Sequence, residues 1–131
     1  MADQSVRLRF APSPTGELHI GTLRTALFNW VYTQKVSGTF ILRIEDTDLQ
    51  RSDRKYESGI LDGMKWVGLS YDEGPDNAEA DHGPYRQSER IQAGLYADYA
   101  QSLIDSGLAY YCFCTDEDLE KERQAAKAAN K

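Results

Sequence analysis

No apolar run in these 131 residues approaches the roughly 18 that suggest a membrane span, and Met1 to Val6 has neither the basic start nor the apolar stretch of a secretory signal. A cytoplasmic protein is expected. Cysteine is nearly absent. The only two, in Cys112-Phe113-Cys114, could bridge only across one intervening residue, a strained link that closes no useful loop, so a disulfide scaffold is excluded. The common phosphate-binding fingerprints are missing as well: there is no G-x-G-x-x-G and no Gly-Lys-Ser/Thr, which removes the dinucleotide and P-loop classes.

What is present fits one globular domain and little more, at 40% hydrophobic and 27% charged residues. Fifteen Lys and Arg against twenty-one Asp and Glu give a net charge of −6, which by itself argues against a nucleic-acid partner. The distribution is uneven. Through Arg43 the balance is +3, carried by Arg7, Arg9, Arg24, Lys35 and Arg43, and the remainder carries −9, so the first third can face an anion.

Arg7 to Phe10 alternates as a strand does and breaks at Pro12-Ser13-Pro14-Thr15-Gly16, a rigid turn. Leu23, Ala26, Leu27, Trp30 and Val31 then recur at helical spacing, predicting one buried helix that stops at Ser37-Gly38. Thr39 to Ile44 is β-rich and nearly all apolar, as in a parallel strand covered on both faces, and it runs into Glu45-Asp46-Thr47-Asp48. A second helix is expected from Arg54 to Val67, ended by Gly68. The order β, α, β, α suggests a βαβ unit of a doubly wound sheet.

Asp72 to Pro84 reads as a long loop. Beyond it a third helix is expected from Glu89 to Ser106, capped by Ser88 and ended by Gly107. Ala109 to Cys114 has strand composition, and Thr115 with Asp118 forms a capping box opening a polar last helix that has little to bury. Such a chain reads as a fragment.

The turn before the first helix is where backbone N–H groups and the helix dipole favour an anion. His19 can donate to a phosphoryl oxygen, and Gly21 lets a nucleotide lie against the backbone. By spacing alone the pair is a weak signal, and an ordinary surface histidine beside a glycine-containing helix start explains it better. Cys112 and Cys114, two apart on an expected strand, share a face and could share a metal, but zinc wants four ligands, and His19 and His82 are distant in sequence.

Context sharpens the reading. The blocks Arg9 to Gly16, His19 to Thr22, Ala26 to Trp30, Arg43 to Asp48, Leu69 to Asp76 and Gly83 to Arg90 together resemble the class I glutamyl-tRNA synthetases, from about Arg7 to about Glu122. The resemblance implies a Rossmann-like α/β fold over residues 1–83 and the beginning of a tRNA acceptor-binding insertion over 84–131. It implies ATP with Mg2+, L-glutamate and tRNA(Glu) as substrates and partners, in a monomeric parent protein without membrane attachment.

His19, Gly21 and Thr22 match the family's HIGH signature, with Thr22 replacing its second histidine. Arg9 is then expected on a substrate carboxylate, Ala11 (through its backbone) and Ser13 in the same pocket, and Glu45 on the ammonium, while Asp46 and Asp48 are not expected as ligands. Cys112 and Cys114 become half of a zinc site whose other ligands lie elsewhere. The family's second signature, KMSK, has no counterpart, since no Lys-x-Ser-Lys occurs. The fragment is therefore not expected to aminoacylate alone.

Other readings compete. A glutamyl-queuosine tRNA(Asp) synthetase shares the turn and often a C-x-C; glutaminyl enzymes show a different turn; an H-x-G-H nucleotidyltransferase explains none of the later blocks; and a non-catalytic nucleotide- or RNA-binding module would keep the turn only as scaffold.

Overall fold

The computed structural model describes residues 6–77 and 82–129. Strand β1 (Arg7–Phe10) lies parallel to β2 (Thr39–Leu42), in the register Arg7 to Thr39 and Phe10 to Leu42, with α1 (Ile20–Val36) as the crossover between them. The pairing continues as single bonds, Arg43 N to Phe10 O at 3.0 Å and Glu45 N to Pro12 O at 2.9 Å. On its other edge β2 receives two short stretches in place of a third strand: Leu42 N donates to Glu73 O, and Ile44 N to Tyr85 O. Both stretches run parallel to β2.

Alternation gives the sheet two unlike faces. Phe10, Phe40, Leu42 and Ile44 point to the buried side, where Ala26 of α1 and Ile60 and Met64 of α2 (Arg54–Trp66) join them in one core. Each such side chain contributes about 1.5–3 kcal/mol. Thr39 and Ile41, on the opposite face, are only half-buried, so the expectation of a strand covered on both faces fails. Helices α1 and α2 gather on the buried side.

The expectation of a buried α1 also fails, because only Ala26 and Thr33 are buried in it. Its stop differs in detail as well. Ser37, not glycine, takes the left-handed conformation (φ 51°), and the bonds Ser37 N to Gln34 O and Gly38 N to Thr33 O close a Schellman motif. Gly38 serves another need: a Cβ there would lie 2.5 Å from the Val6 carbonyl oxygen that accepts from Thr39 N. Glycine lets the strand backbone approach. Helix α2 follows the sequence closely, capped by Asp53, whose side chain accepts from Lys55 N at 2.9 Å, and ended by Gly68 at φ 74°.

The helix expected from Glu89 to Ser106 is two helices, α3 (Gln87–Gln92) and α4 (Ala97–Asp105). Gly94 at φ 72°, with Gly94 N to Ile91 O and Leu95 N to Arg90 O, closes a Schellman motif in the middle of an uninterrupted apolar stripe. The stripe concealed the stop. Ser88 is not the cap, which is Arg86; Ser88 donates its backbone N–H and its hydroxyl to Asp46. Ala109 to Cys114 forms no strand, its aromatic residues Tyr110, Tyr111 and Phe113 being exposed with no strand beside them in their unit. The capping box on α5 (Asp116–Ala128) forms as expected, with aspartate in the glutamate position.

Contacts divide the chain into one compact unit ending at Leu95 and another beginning at Tyr96. Residues between 84 and 95 are tied into the first unit. Arg86 pairs at 2.8 Å with the buried Glu57 of α2. Tyr85 donates to buried Glu73 at 2.5 Å, and Arg7 of β1 donates to the same oxygen at 2.6 Å. That arrangement holds the Glu73 carboxyl below its usual range, chiefly through the Arg7 bond, while burial and the Glu73 charge push the Tyr85 hydroxyl up to about 12. None of α4 or α5 is buried.

Candidate functional site

The turn between β1 and α1 is fixed at two points beyond its own residues. Pro12 and Pro14 are buried; the Pro12 carbonyl accepts from Glu45 N and the Pro14 carbonyl from Asp53 N at 3.0 Å. With no amide hydrogen of their own to place, the prolines suit a buried turn whose carbonyls are both engaged. Helix α1 then starts at the carboxyl ends of the strands.

His19 is the N-cap of α1. Its Nδ1 accepts from Thr22 N at 3.4 Å, and its Nε2 lies 2.9 Å from Thr22 Oγ1. Both ring nitrogens are therefore turned toward Thr22. Gly21 sits directly under this ring: a Cβ would lie 3.1 Å from Cε1 and Nδ1, so glycine leaves room for the imidazole as well as for a ligand. The first turn of α1 carries no acidic side chain to compete for its free N–H groups.

Ser13, Thr15, Gly16, His19 and Thr22 border a hollow of about 270 Å³. A second, of about 250 Å³, lies between His19, Leu18, Leu23 and the α2 residues Gly59, Gly63 and Trp66. A larger hollow, about 660 Å³, is elsewhere, between α2 and residues 68–77, and none of the expected site residues lines it.

Arg9, Ala11 and Glu45 do not border the His19 hollow. They belong to the open face of the sheet. Arg9 lies opposite Ile41 in the register, and the bonds from Arg43 N and Glu45 N continue the alternation, so Arg9, Ala11, Ser13, Arg43 and Glu45 fall on one side. Ser13 belongs to both sets. Among the described residues the Arg9 side chain makes no hydrogen bond or ion pair, and it is exposed.

Glu45 does have a partner. Arg43 Nε and Nη2 both donate to its Oε1, at 2.8 and 2.7 Å. Arg43 is not among the residues expected at the site, although the i, i+2 spacing on a strand places it beside Glu45. Asp46 is engaged by Ser88. Asp48 is engaged by Arg51, whose hydrogen bond holds its carboxyl below the usual range. Both carboxylates are thus already hydrogen-bonded within the chain.

Cys112 and Cys114 are exposed in the segment between α4 and α5. The Cys112 thiol is drawn down by hydrogen bonds from the Cys114 backbone and side chain, and Cys114 is pushed up by the Cys112 thiol and its charge. Among the described residues no group of three His, Cys, Asp or Glu is placed to hold a metal. Two thiols close together fit half of a tetrahedral zinc set.

Strand, crossover helix and parallel strand, with the helix start at the strands' carboxyl ends, define the beginning of a Rossmann-like catalytic domain. The family model for "tRNA synthetases class I (E and Q), catalytic domain" matches residues 5–131, and the chain belongs to that family. It is 57% identical over 122 residues to the glutamate–tRNA ligase of Sulfurihydrogenibium sp. (strain YO3AOP1), covering 93% of this chain and 25% of that protein. To the glutamate–tRNA ligase of Carboxydothermus hydrogenoformans it is 58% identical over 119 residues, covering 91% and 24%.

Among solved structures it superimposes on a glutamate tRNA ligase from Elizabethkingia meningosepticum CCUG26117 in complex with its amino acid. The TM-score is 0.82 at 40% identity, covering 97% of this chain and 25% of that one. The glutamate-tRNA synthetase of Elizabethkingia anophelis gives a TM-score of 0.83 at the same identity and coverage. The chain thus spans about a quarter of the length of the relatives it matches. No helix among the described residues is long and apolar enough to cross a membrane.

Proposed function

We propose that this chain is part of a glutamate–tRNA ligase, in which L-glutamate attacks the α-phosphate of ATP to give glutamyl-adenylate and pyrophosphate, and the glutamyl group passes to tRNA(Glu). The observation that carries this reading is the pairing of an uncommitted guanidinium, Arg9, with a carboxylate, Glu45, on one sheet face at the strand ends, next to the helix start capped by His19. Glutamate has two carboxylates and one ammonium, and these two groups complement one carboxylate and the ammonium. Arg9 takes a substrate carboxylate in a bidentate fork, which lysine cannot offer. Glu45 takes the ammonium. Ser13 and the Ala11 backbone line the space between.

At the phosphate, the free N–H groups of the first α1 turn stabilise charge as it develops, joined by the His19 imidazole once its Nε2 turns from the Thr22 hydroxyl to the nucleotide, with Gly21 admitting the nucleotide and Thr22 holding the ring until then. Thr22 contributes a hydroxyl only. Phosphoryl chemistry of this kind depends on positioning and fixed donors more than on a general base. ATP enters with Mg2+ as its counterion. Zinc, in the whole protein, would be held by Cys112 and Cys114 together with ligands from elsewhere, where it would stiffen the acceptor-binding insertion that we assign to residues 84–131. Cytoplasmic location and a monomeric parent belong to the same proposal.

The test is glutamate-dependent ATP–pyrophosphate exchange by the whole protein containing this chain, with tRNA(Glu) and tRNA(Asp) compared as acceptors. Charging of tRNA(Glu) is expected. Charging of tRNA(Asp) alone would favour the queuosine-modifying paralogue, and exchange without preference for glutamate would overturn both. The 131-residue chain by itself, which has no Lys-x-Ser-Lys, is expected to be inactive.

A further inference from the structure

We propose that Arg43 is a positioning residue for the amino-acid site, holding Glu45 by one oxygen so that the other faces the substrate's ammonium; this rests on the glutamate-activating reading above. The geometry is specific. Both Arg43 donors converge on Glu45 Oε1, at 2.8 and 2.7 Å, and among the described residues Oε2 has no hydrogen-bond partner. A carboxylate gripped through both oxygens would keep only part of each oxygen's acceptor capacity for a ligand. One gripped through a single oxygen is oriented and still open.

The backbone makes this pair rigid. Arg43 N is bonded to Phe10 O and Glu45 N to Pro12 O, so both residues are pinned to the β1 extension and alternation puts their side chains on one face. The two side chains are 18% and 23% exposed, so the bond is shielded from solvent more than a surface pair is. Without Arg43 the Glu45 side chain regains its rotamer freedom, and a substrate must pay for ordering it. Charge alone predicts the opposite: a guanidinium beside Glu45 repels an ammonium, so its removal would tighten glutamate binding. The two effects give opposite signs, which makes the proposal testable.

The experiment measures pyrophosphate exchange by the whole protein with Arg43→Gln, Arg43→Lys and Glu45→Gln, using glutamate as substrate and glutarate, which lacks the ammonium, as competitive inhibitor. With Arg43→Gln the glutamate KM is expected to rise roughly tenfold while kcat, the ATP KM and glutarate inhibition stay within about twofold. Arg43→Lys, able to return one donor to Oε1, is expected to recover part of that loss. Equal weakening of glutamate and glutarate, no change, or tighter glutamate binding would each overturn the proposal. The reading beneath it fails separately: if Glu45→Gln leaves the preference for glutamate over glutarate intact, Glu45 is not the ammonium site. If Glu45→Gln removes that preference and Arg43→Gln does not, only the role of Arg43 falls.

Discussion

Helices α1 and α2 flank the same sheet face and are built on different plans. Helix α2 is amphipathic: Ile60 and Met64 enter the core, Glu57 is buried against Arg86, and Arg54, Lys55, Asp62 and Lys65 face out. Helix α1 carries large apolar side chains on its exposed side as well as toward the sheet. Leu27 is 43% exposed, Val31 and Tyr32 50%, and Phe28 65%. The difference shows that periodicity reports how much apolar surface a helix owns, while burial depends on what the chain has to lay against it. The α2 pattern is satisfied inside this chain, and the α1 pattern only along the line of Ala26 and Thr33.

Breaking the α2 side is expected to have the largest effect. Arg86→Ala leaves the Glu57 carboxylate buried with only the exposed Arg54, at 3.7 Å, nearby, and a loss of about 3 kcal/mol in urea unfolding is expected. A variant within about 0.5 kcal/mol of the parent would show that Arg54 suffices. Met64→Ala should lose about 2–5 kcal/mol by opening a cavity, whereas Phe28→Ala on the open face of α1 should stay within about 0.5 kcal/mol. Equal losses from the two would erase the contrast between the helices.

A smaller effect concerns acid. Glu73 has its folded pKa lowered, so it adds stability above the ordinary carboxyl value of 4.5, and that stability drains away as pH falls through the folded value. The stability gap between the parent and Glu73→Gln is expected to be full at pH 7 and to close below about pH 4.5. A gap that persists unchanged at lower pH would place its origin in packing. The smallest effect is expected at the start of α1. In Gly21→Ala the gain in helix propensity roughly offsets the crowding of His19, leaving stability within about 0.5 kcal/mol, while the His19 ring resonances shift in NMR spectra. An unmoved ring would mean that the close approach of Gly21 matters only to a ligand.

Much of the fold was readable where the signal is local. The cap at Thr115, the stops at Gly68 and Gly107 and the parallel order of the strands follow from neighbouring residues. Reading failed where a local pattern continued across a break. The stripe Ile91, Leu95, Tyr99 and Leu103 runs through Gly94, whose left-handed backbone divides the helix. The β-rich Ala109 to Cys114 lacks a partner strand, and strands exist only in pairs.

The site divides in the same way. Composition and order alone determined that His19 begins a helix after a proline turn, that Arg9 lies near the end of the first strand and Glu45 just beyond the second, and that two thiols lie two residues apart, because each is a matter of spacing along the chain. Only the tertiary structure decided that Glu45 is held by Arg43, that Asp46 is consumed by Ser88 forty-two residues away, and that Ser13 alone joins the sheet face to the His19 hollow. Hydrogen bonds between distant segments depend on which backbones are brought side by side, and no local periodicity encodes that.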